Sequence, residues 1–235
     1  MEDAKTGQRK KSAIVLILGF FILGSSWYAI APLAQDFSEK EQRQIKAQAH
    51  AMAAEDLYKD GQLDQAIAQW REAIRLDPGF AGAHHDLGMA LWQKGDLKDA
   101  VVALRAAVRL DPGNATAQAD LGDALRRHGD LDGALSAYRE AVKLLPTSAP
   151  LHSNLGYLLV GKGDLDGAVA AWREATRLDP KYPPPYVNLG EALEQKGDIP
   201  AAIAAYERFL ELVPDLPQDD EIRQRLDALK AAGKS

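Results

Sequence analysis

The chain repeats itself at a fixed interval of 34 residues, and that periodicity leaves few folds open to it. Prolines recur at Pro78, Pro112, Pro146, Pro180 and Pro214, and glycines keep the same step at Gly61, Gly95, Gly129, Gly163 and Gly197. So do the alanines Ala66, Ala100, Ala134, Ala168 and Ala202. The clearest copy is Leu87 to Pro112, reading LGMALWQKGDLKDAVVALRAAVRLDP. Self-similarity at such a period marks a solenoid, in which each unit buries its apolar face only against its neighbours. This outweighs the ordinary expectation of one or two globular domains for 235 residues.

Counting back from the prolines gives repeats 47–80, 81–114, 115–148, 149–182 and 183–216. Each has the pattern of two helices. In the second repeat the first helix is expected from about His84 to Lys94 and the second over Leu97 to Leu110. Gly95 suits the left-handed C′ position that ends a helix, Asp96 can cap the next one, and Pro112 prevents its continuation. Gly88, Gly122, Gly156 and Gly190 fall where paired helices must approach closely. Leu91, Leu125, Leu159 and Leu193 face Trp70, Leu104, Tyr138, Trp172 and Tyr206 from the second helices. Small against large at fixed steps is how stacked hairpins reach dense packing, so these positions are read as core.

These residues closely resemble the tetratricopeptide repeat (TPR) family, whose 34-residue unit carries Trp-x2-Leu-Gly-x2-Tyr followed by Gly, Ala, an aromatic, Ala and Pro. The resemblance covers 47–216. It implies an all-α, right-handed superhelical solenoid of five helix-turn-helix repeats. The family's usual Trp at the fourth repeat position is replaced by His50, His84, Gln118, His152 and Tyr186. The fifth repeat opens with Pro183-Pro184-Pro185, so its first helix should start late, near Pro185. Residues 217–235 hold a last amphipathic segment with Ile222, Arg225, Leu226 and Leu229 on one stripe, expected to cap the stack, and a short tail.

The N-terminus has another character. Residues 1–11 form a polar tail ending in Arg9-Lys10-Lys11, and Ser12 to Ala31 is free of charge. Its length of about 30 Å as a helix suits a bilayer's hydrocarbon core. Trp27 and Tyr28 stand where an aromatic belt would be, and Pro32 ends the span. Segment 12–31 is therefore expected to be one transmembrane signal-anchor helix. By the positive-inside rule the N-terminus lies in the cytoplasm and the repeats lie in the periplasm or a lumen, anchored to the inner membrane. Cleavage after the apolar stretch, which would release a soluble secreted protein, is the competing reading. Residues 32–46 read as linker and stalk, with Ser38 and Glu41 forming a capping box for a helix over Glu39 to Lys59 and a polar EKEQRQIKAQ start.

Chemistry is sparse. There is no cysteine, which excludes disulfides and thiolate sites. His50, His84 and His152 share one repeat position, so they should stand roughly 10 Å apart, too far for a common metal ion. No phosphate-binding loop is present, and no catalytic residues, cofactor or metal are expected. Beyond residue 31 there are 24 basic and 32 acidic residues, a balance that disfavours nucleic acid and mildly favours basic or neutral peptides.

The family resemblance further implies that first helices line a concave groove for a protein or peptide partner. The positions it implies are Met52, Glu55 and Tyr58 in the first repeat, and His85, Asp86, Met89 and Trp92 in the second. They continue as Asp120, Asp123, Arg126 and Arg127, then Ser153, Asn154 and Tyr157, then Val187, Asn188, Glu191 and Glu194. Side-chain amides at Asn154 and Asn188 can both donate to and accept from a peptide backbone. Tyr58, Met89, Trp92 and Tyr157 offer apolar anchor surface. The carboxylate clamp of chaperone-binding members is not supported, because Ala51 and Asn154 stand at its basic positions. The expected function is a membrane-anchored scaffold or adaptor that recruits or assembles membrane or exported proteins. The alternative is a fixed structural subunit of one membrane complex, for example an electron-transfer or photosynthetic one.

Overall fold

A computed structural model describes residues 37–214 and 219–232, and among these every regular element is helical. Eleven helices follow one another: α1 (Glu39–Lys59), α2 (Leu63–Leu76), α3 (Ala81–Lys94), α4 (Leu97–Leu110), α5 (Ala115–His128), α6 (Leu131–Leu144), α7 (Ala149–Gly161), α8 (Leu165–Leu178), α9 (Pro184–Gln195), α10 (Ile199–Leu212) and α11 (Asp219–Ala232). The expected span 12–31 lies outside the described residues. Among the described ones no helix is long and apolar enough to cross a membrane.

The local signals explain most boundaries. Ser38 caps α1 reciprocally: its Oγ accepts from the Glu41 N–H at 3.3 Å, and its own N–H donates to Glu41 Oε2 at 2.7 Å. The polar start of α1 is not polar all round as expected, since Ile45 is buried there and Phe37 just ahead of it. Helix α3 begins at Ala81, three residues earlier than expected, and ends at Gly95 with φ of +92°. That left-handed conformation is the reason for glycine at the turn, and its four equivalents share it. The proline run delays α9 to Pro184.

Caps of the second helices form a series. Asp130 and Asp164 accept from the Gly133 and Gly167 N–H groups at 2.9 Å, whereas Asp198 accepts from Ala201 at 3.3 Å. Asp96 makes no such bond, and the residue three positions on is Asp99. A Cβ built on Gly133 would come within 2.5 Å of Asp130 Oδ2, so a side chain at that position displaces the carboxylate: the bond is longer at Ala201 and absent at Asp99.

Packing follows the small-against-large pattern. α1 packs on α2, α3 on α4, α5 on α6, α7 on α8 and α9 on α10. Ala66, Ala100, Ala134, Ala168 and Ala202 are all fully buried. A Cβ on Gly156 would meet Trp172 Nε1 at 2.6 Å, and one on Gly122 would meet Tyr138 Cδ2 at 2.6 Å. With no Cβ in the way, the Trp172 indole N–H donates to the Ser153 carbonyl at 3.0 Å. In the first repeat Ala54 stands at the glycine position, and the buried Trp70 Nε1 finds no hydrogen-bond partner.

The fourth repeat position has a role beyond packing. His84 Nε2 lies 3.2 Å from the Pro78 carbonyl and His152 Nε2 lies 2.9 Å from that of Pro146. The Tyr186 hydroxyl donates to the Pro180 carbonyl at 3.1 Å. Each ties a first helix to the turn that precedes it, so a hydrogen-bonding residue substitutes for the family's Trp.

Two compact units result, one ending at Gly113 and the other beginning at Asn114, each with its own core. A lysine near the end of a first helix pairs with an aspartate thirty residues earlier: Lys94 with Asp64 at 2.7 Å, Lys162 with Asp132 at 2.6 Å, and Lys196 with Asp166. The sequence places Lys98 and His128 at the remaining step. The last helix, α11, packs on α10, burying Leu226 with Ile222 and Leu229 against the second core.

Candidate functional site

First helices carry the polar and aromatic side chains that their core-facing glycines and leucines leave pointing elsewhere. In the first unit, Glu55, Tyr58 and Lys59 of α1 and Asp86 and Met89 of α3 line a cleft of about 220 Å³ with Trp70 as floor. The Tyr58 and Trp70 rings stand 5.7 Å apart at an interplanar angle of 59°. Tyr58 is half exposed, and Trp70 is buried.

In the second unit two clefts share Tyr157. One, of about 330 Å³, is lined by Asp123, Arg126, Tyr138, Asn154 and Tyr157. The other, of about 150 Å³, joins Tyr157, Val160, Leu165 and Trp172 to Asn188, Glu191, Ala192 and Gln195. Tyr157 is 61% exposed although it meets Trp172 edge-on at 6.4 Å, so a large ring is held in place and left open to solvent. Val160 is also exposed.

The expected groove residues therefore fall into three groups. Tyr58, Asp86 and Met89 come together, as do Asp123, Arg126, Asn154 and Tyr157, and Asn188 and Glu191 join Tyr157. Trp92 is partly buried against the first core, and neither it nor Asp120 lines these clefts. Ser153, implied as a lining residue, is instead buried, its carbonyl serving Trp172. The two asparagines are already engaged as donors: Asn154 Nδ2 to the Tyr138 hydroxyl at 3.2 Å, and Asn188 Nδ2 to the Pro184 carbonyl at 3.1 Å. Sequence reasoning treated Trp70, Tyr138 and Trp172 purely as core. They are core, but their edges also form cleft walls, which a burial pattern cannot reveal. Val160 lies three residues after Tyr157 on the same helix, a spacing that puts both on one face and could have found it.

Electrostatics differ among the clefts. Arg126 answers Asp123 on its own helix at 3.4 Å. Burial pushes the Tyr138 hydroxyl well above the ordinary tyrosine range, with the Asp123 carboxylate adding to the effect. Tyr206 is raised in the same way, burial first. At the end of the stack Arg225 of α11, expected on the apolar stripe, instead turns to the last repeat. Its Nε donates to Glu194 Oε2 at 2.7 Å, and its guanidinium lies 3.5 Å from Glu191 and 6.0 Å from the Tyr206 ring centroid. The Glu194 bond raises the Arg225 pKa further. Among the described residues no group of three His, Cys, Asp or Glu side chains is arranged to hold a metal ion.

Helical hairpins packed on one another within each unit, with side-chain clefts on their first helices, define a helical-repeat protein. Three profiles of one family match the chain: two described as tetratricopeptide repeat, over 51–115 with 85–149 and over 183–216, and one described as TPR repeat, over 156–197. The chain belongs to the tetratricopeptide repeat family, whose members are in general non-enzymatic scaffolds for protein–protein interaction. No curated protein matches it by sequence.

Solved structures resemble it in fold. MamA of Desulfovibrio magneticus RS-1, from its residue 41 to the end, is 23% identical with a TM-score of 0.66 over 71% of this chain and 94% of that one. YrrB, described as a TPR protein with an unusual peptide-binding site, is 22% identical with a TM-score of 0.68 over 83% and 97%. The pilF protein of Pseudomonas aeruginosa is 21% identical with a TM-score of 0.69 over 81% and 86%.

Proposed function

We propose that this protein is a membrane-anchored scaffold that holds an extended segment of a partner protein against its first helices. The observation that carries the reading is Tyr157, a large ring fixed edge-on to Trp172 and 61% exposed between two clefts of the second unit. A rigid aromatic anchor exposed beside amide groups gives contact area at low entropic cost, which is what a partner-binding surface needs. The peptide-binding site named for YrrB supports the same use of the fold. In this reading residues 12–31 span the inner membrane and the repeats work on the periplasmic or lumenal side, recruiting or assembling membrane or exported proteins. Their support is the charge-free length and the basic flank of that segment.

A photo-crosslinking residue placed at position 157 should capture a partner protein from native membranes. The same residue at position 102 should not, since Val102 is exposed on a second helix away from the clefts. Capture from 102 and not from 157 would remove the first helices as the working surface. Asn154→Ala combined with Asn188→Ala should weaken that capture while changing stability by only about 1 kcal/mol. Protease added to intact cells or spheroplasts checks the topology, and digestion of the repeats from the cytoplasmic side alone would refute it.

A further inference from the structure

The end of the stack shows how this chain reads an arginine. Arg225 sits between Glu191 and Glu194 and over the ring of Tyr206. In the 34-residue register the same positions of the first repeat are Glu55, Tyr58 and Trp70, and the place of Arg225 falls to Met89. Asp86 stands where α11 has Ile222. The first-unit cleft thus keeps a carboxylate and an aromatic floor, gains a second carboxylate from the facing helix, and receives no cation from that helix.

The charges around the cleft leave this vacancy uncompensated. Lys59 lines it, but its Nζ lies 3.4 Å from Asp56 and its side chain is largely exposed. Asp86 has the neighbouring His85 Nδ1 at 3.2 Å. Glu55 has no ion-pair partner among the described residues. By contrast, the cleft at Asp123 is answered by Arg126, and the last repeat by Arg225.

We infer that the cleft between Glu55, Tyr58, Asp86 and Met89 is a subsite for an arginine side chain of the bound partner segment. The two carboxylates accept from the guanidinium and the Tyr58–Trp70 pair supplies a face for it, as Tyr206 does for Arg225. The aliphatic part of the side chain lies along Met89. The inference rests on the proposed use of first helices for partner binding, and it adds which chemistry the first unit selects.

The test uses the full chain, kept in detergent, and two small probes. Nα-acetyl-L-arginine methylamide and its neutral isostere, Nα-acetyl-L-citrulline methylamide, are titrated while amide and tryptophan indole resonances are followed by NMR. The arginine probe should shift the Trp70 indole and the amides around Glu55 and Asp86, and the citrulline probe should bind roughly fivefold more weakly. Glu55→Gln with Asp86→Asn should abolish the difference, while Glu72→Gln, whose carboxylate is paired with Arg75 elsewhere on α2, should not. Equal affinity for both probes, or shifts confined to other residues, would overturn the subsite. If crosslinking from position 157 still captures a partner in that case, the loss is of the arginine subsite alone; if that also fails, the binding reading falls with it.

Discussion

Single atoms decide how each hairpin closes. Gly156 lets the Trp172 indole reach the Ser153 carbonyl, and a Cβ there would sit 2.6 Å from Nε1. The first repeat already contains the contrasting case: Ala54 faces Trp70, and that indole has no partner. Gly156→Ala should therefore overpack the pair and break the bond, lowering stability by about 1–3 kcal/mol despite alanine's better helix propensity. Urea denaturation measures this, and a stabilised variant would show that the indole bond contributes nothing. The repeat pattern alone marks both residues as core. It cannot say that one indole is satisfied and the other is not, because that depends on a few tenths of an ångström between helices.

At the scale of elements, caps and the final helix carry the most variation. Asp130 holds the Gly133 N–H at 2.9 Å, while Asp96 makes no cap bond. Asp130→Ala should cost about 1 kcal/mol and Asp96→Ala clearly less, as read from thermal or denaturant midpoints. Equal losses would contradict the explanation that a side chain at the third helical position displaces the cap. The sequence shows an aspartate at both places, so the difference became visible only with the geometry of the neighbouring residue. α11 makes a similar point. Its stripe of Ile222, Leu226 and Leu229 was legible, but the direction of Arg225 was not. With Arg225→Ala the helix keeps its apolar contacts and loses its bond to Glu194. Amide hydrogen exchange over residues 219–232 should quicken while the amides of α7 and α8 stay protected. Uniformly faster exchange would assign Arg225 to the stability of the whole unit instead.

For the molecule as a whole, pH offers a readout of the fold. Tyr138 and Tyr206 have hydroxyls pushed far above the ordinary value by burial. Their folded pKa values exceed the unfolded one, so their contribution is complete below about pH 10 and is lost progressively as pH rises above it. In an alkaline titration followed by phenolate absorbance, Tyr138→Phe and Tyr206→Phe should remove the late, unfolding-linked part. A single transition shared by every tyrosine, unaffected by those substitutions, would contradict it.

The sequence by itself determined the helical class, the period, the turn glycines, the capping box at Ser38 and the periodic alanines, leucines and aromatics of the core. These follow from local backbone preference and from periodic burial, which repeat identically in every unit. Only the tertiary structure decided that Tyr157 stays exposed between two clefts, that Ser153 is buried, that His84 and His152 reach the proline carbonyls, and that Arg225 closes on Glu191 and Glu194. Each of these depends on where a side chain from one helix meets another that is fifteen to thirty-four residues away or on the turn before it. A periodic pattern specifies which face a residue occupies, but the partner it finds on that face is set by distances and angles between helices.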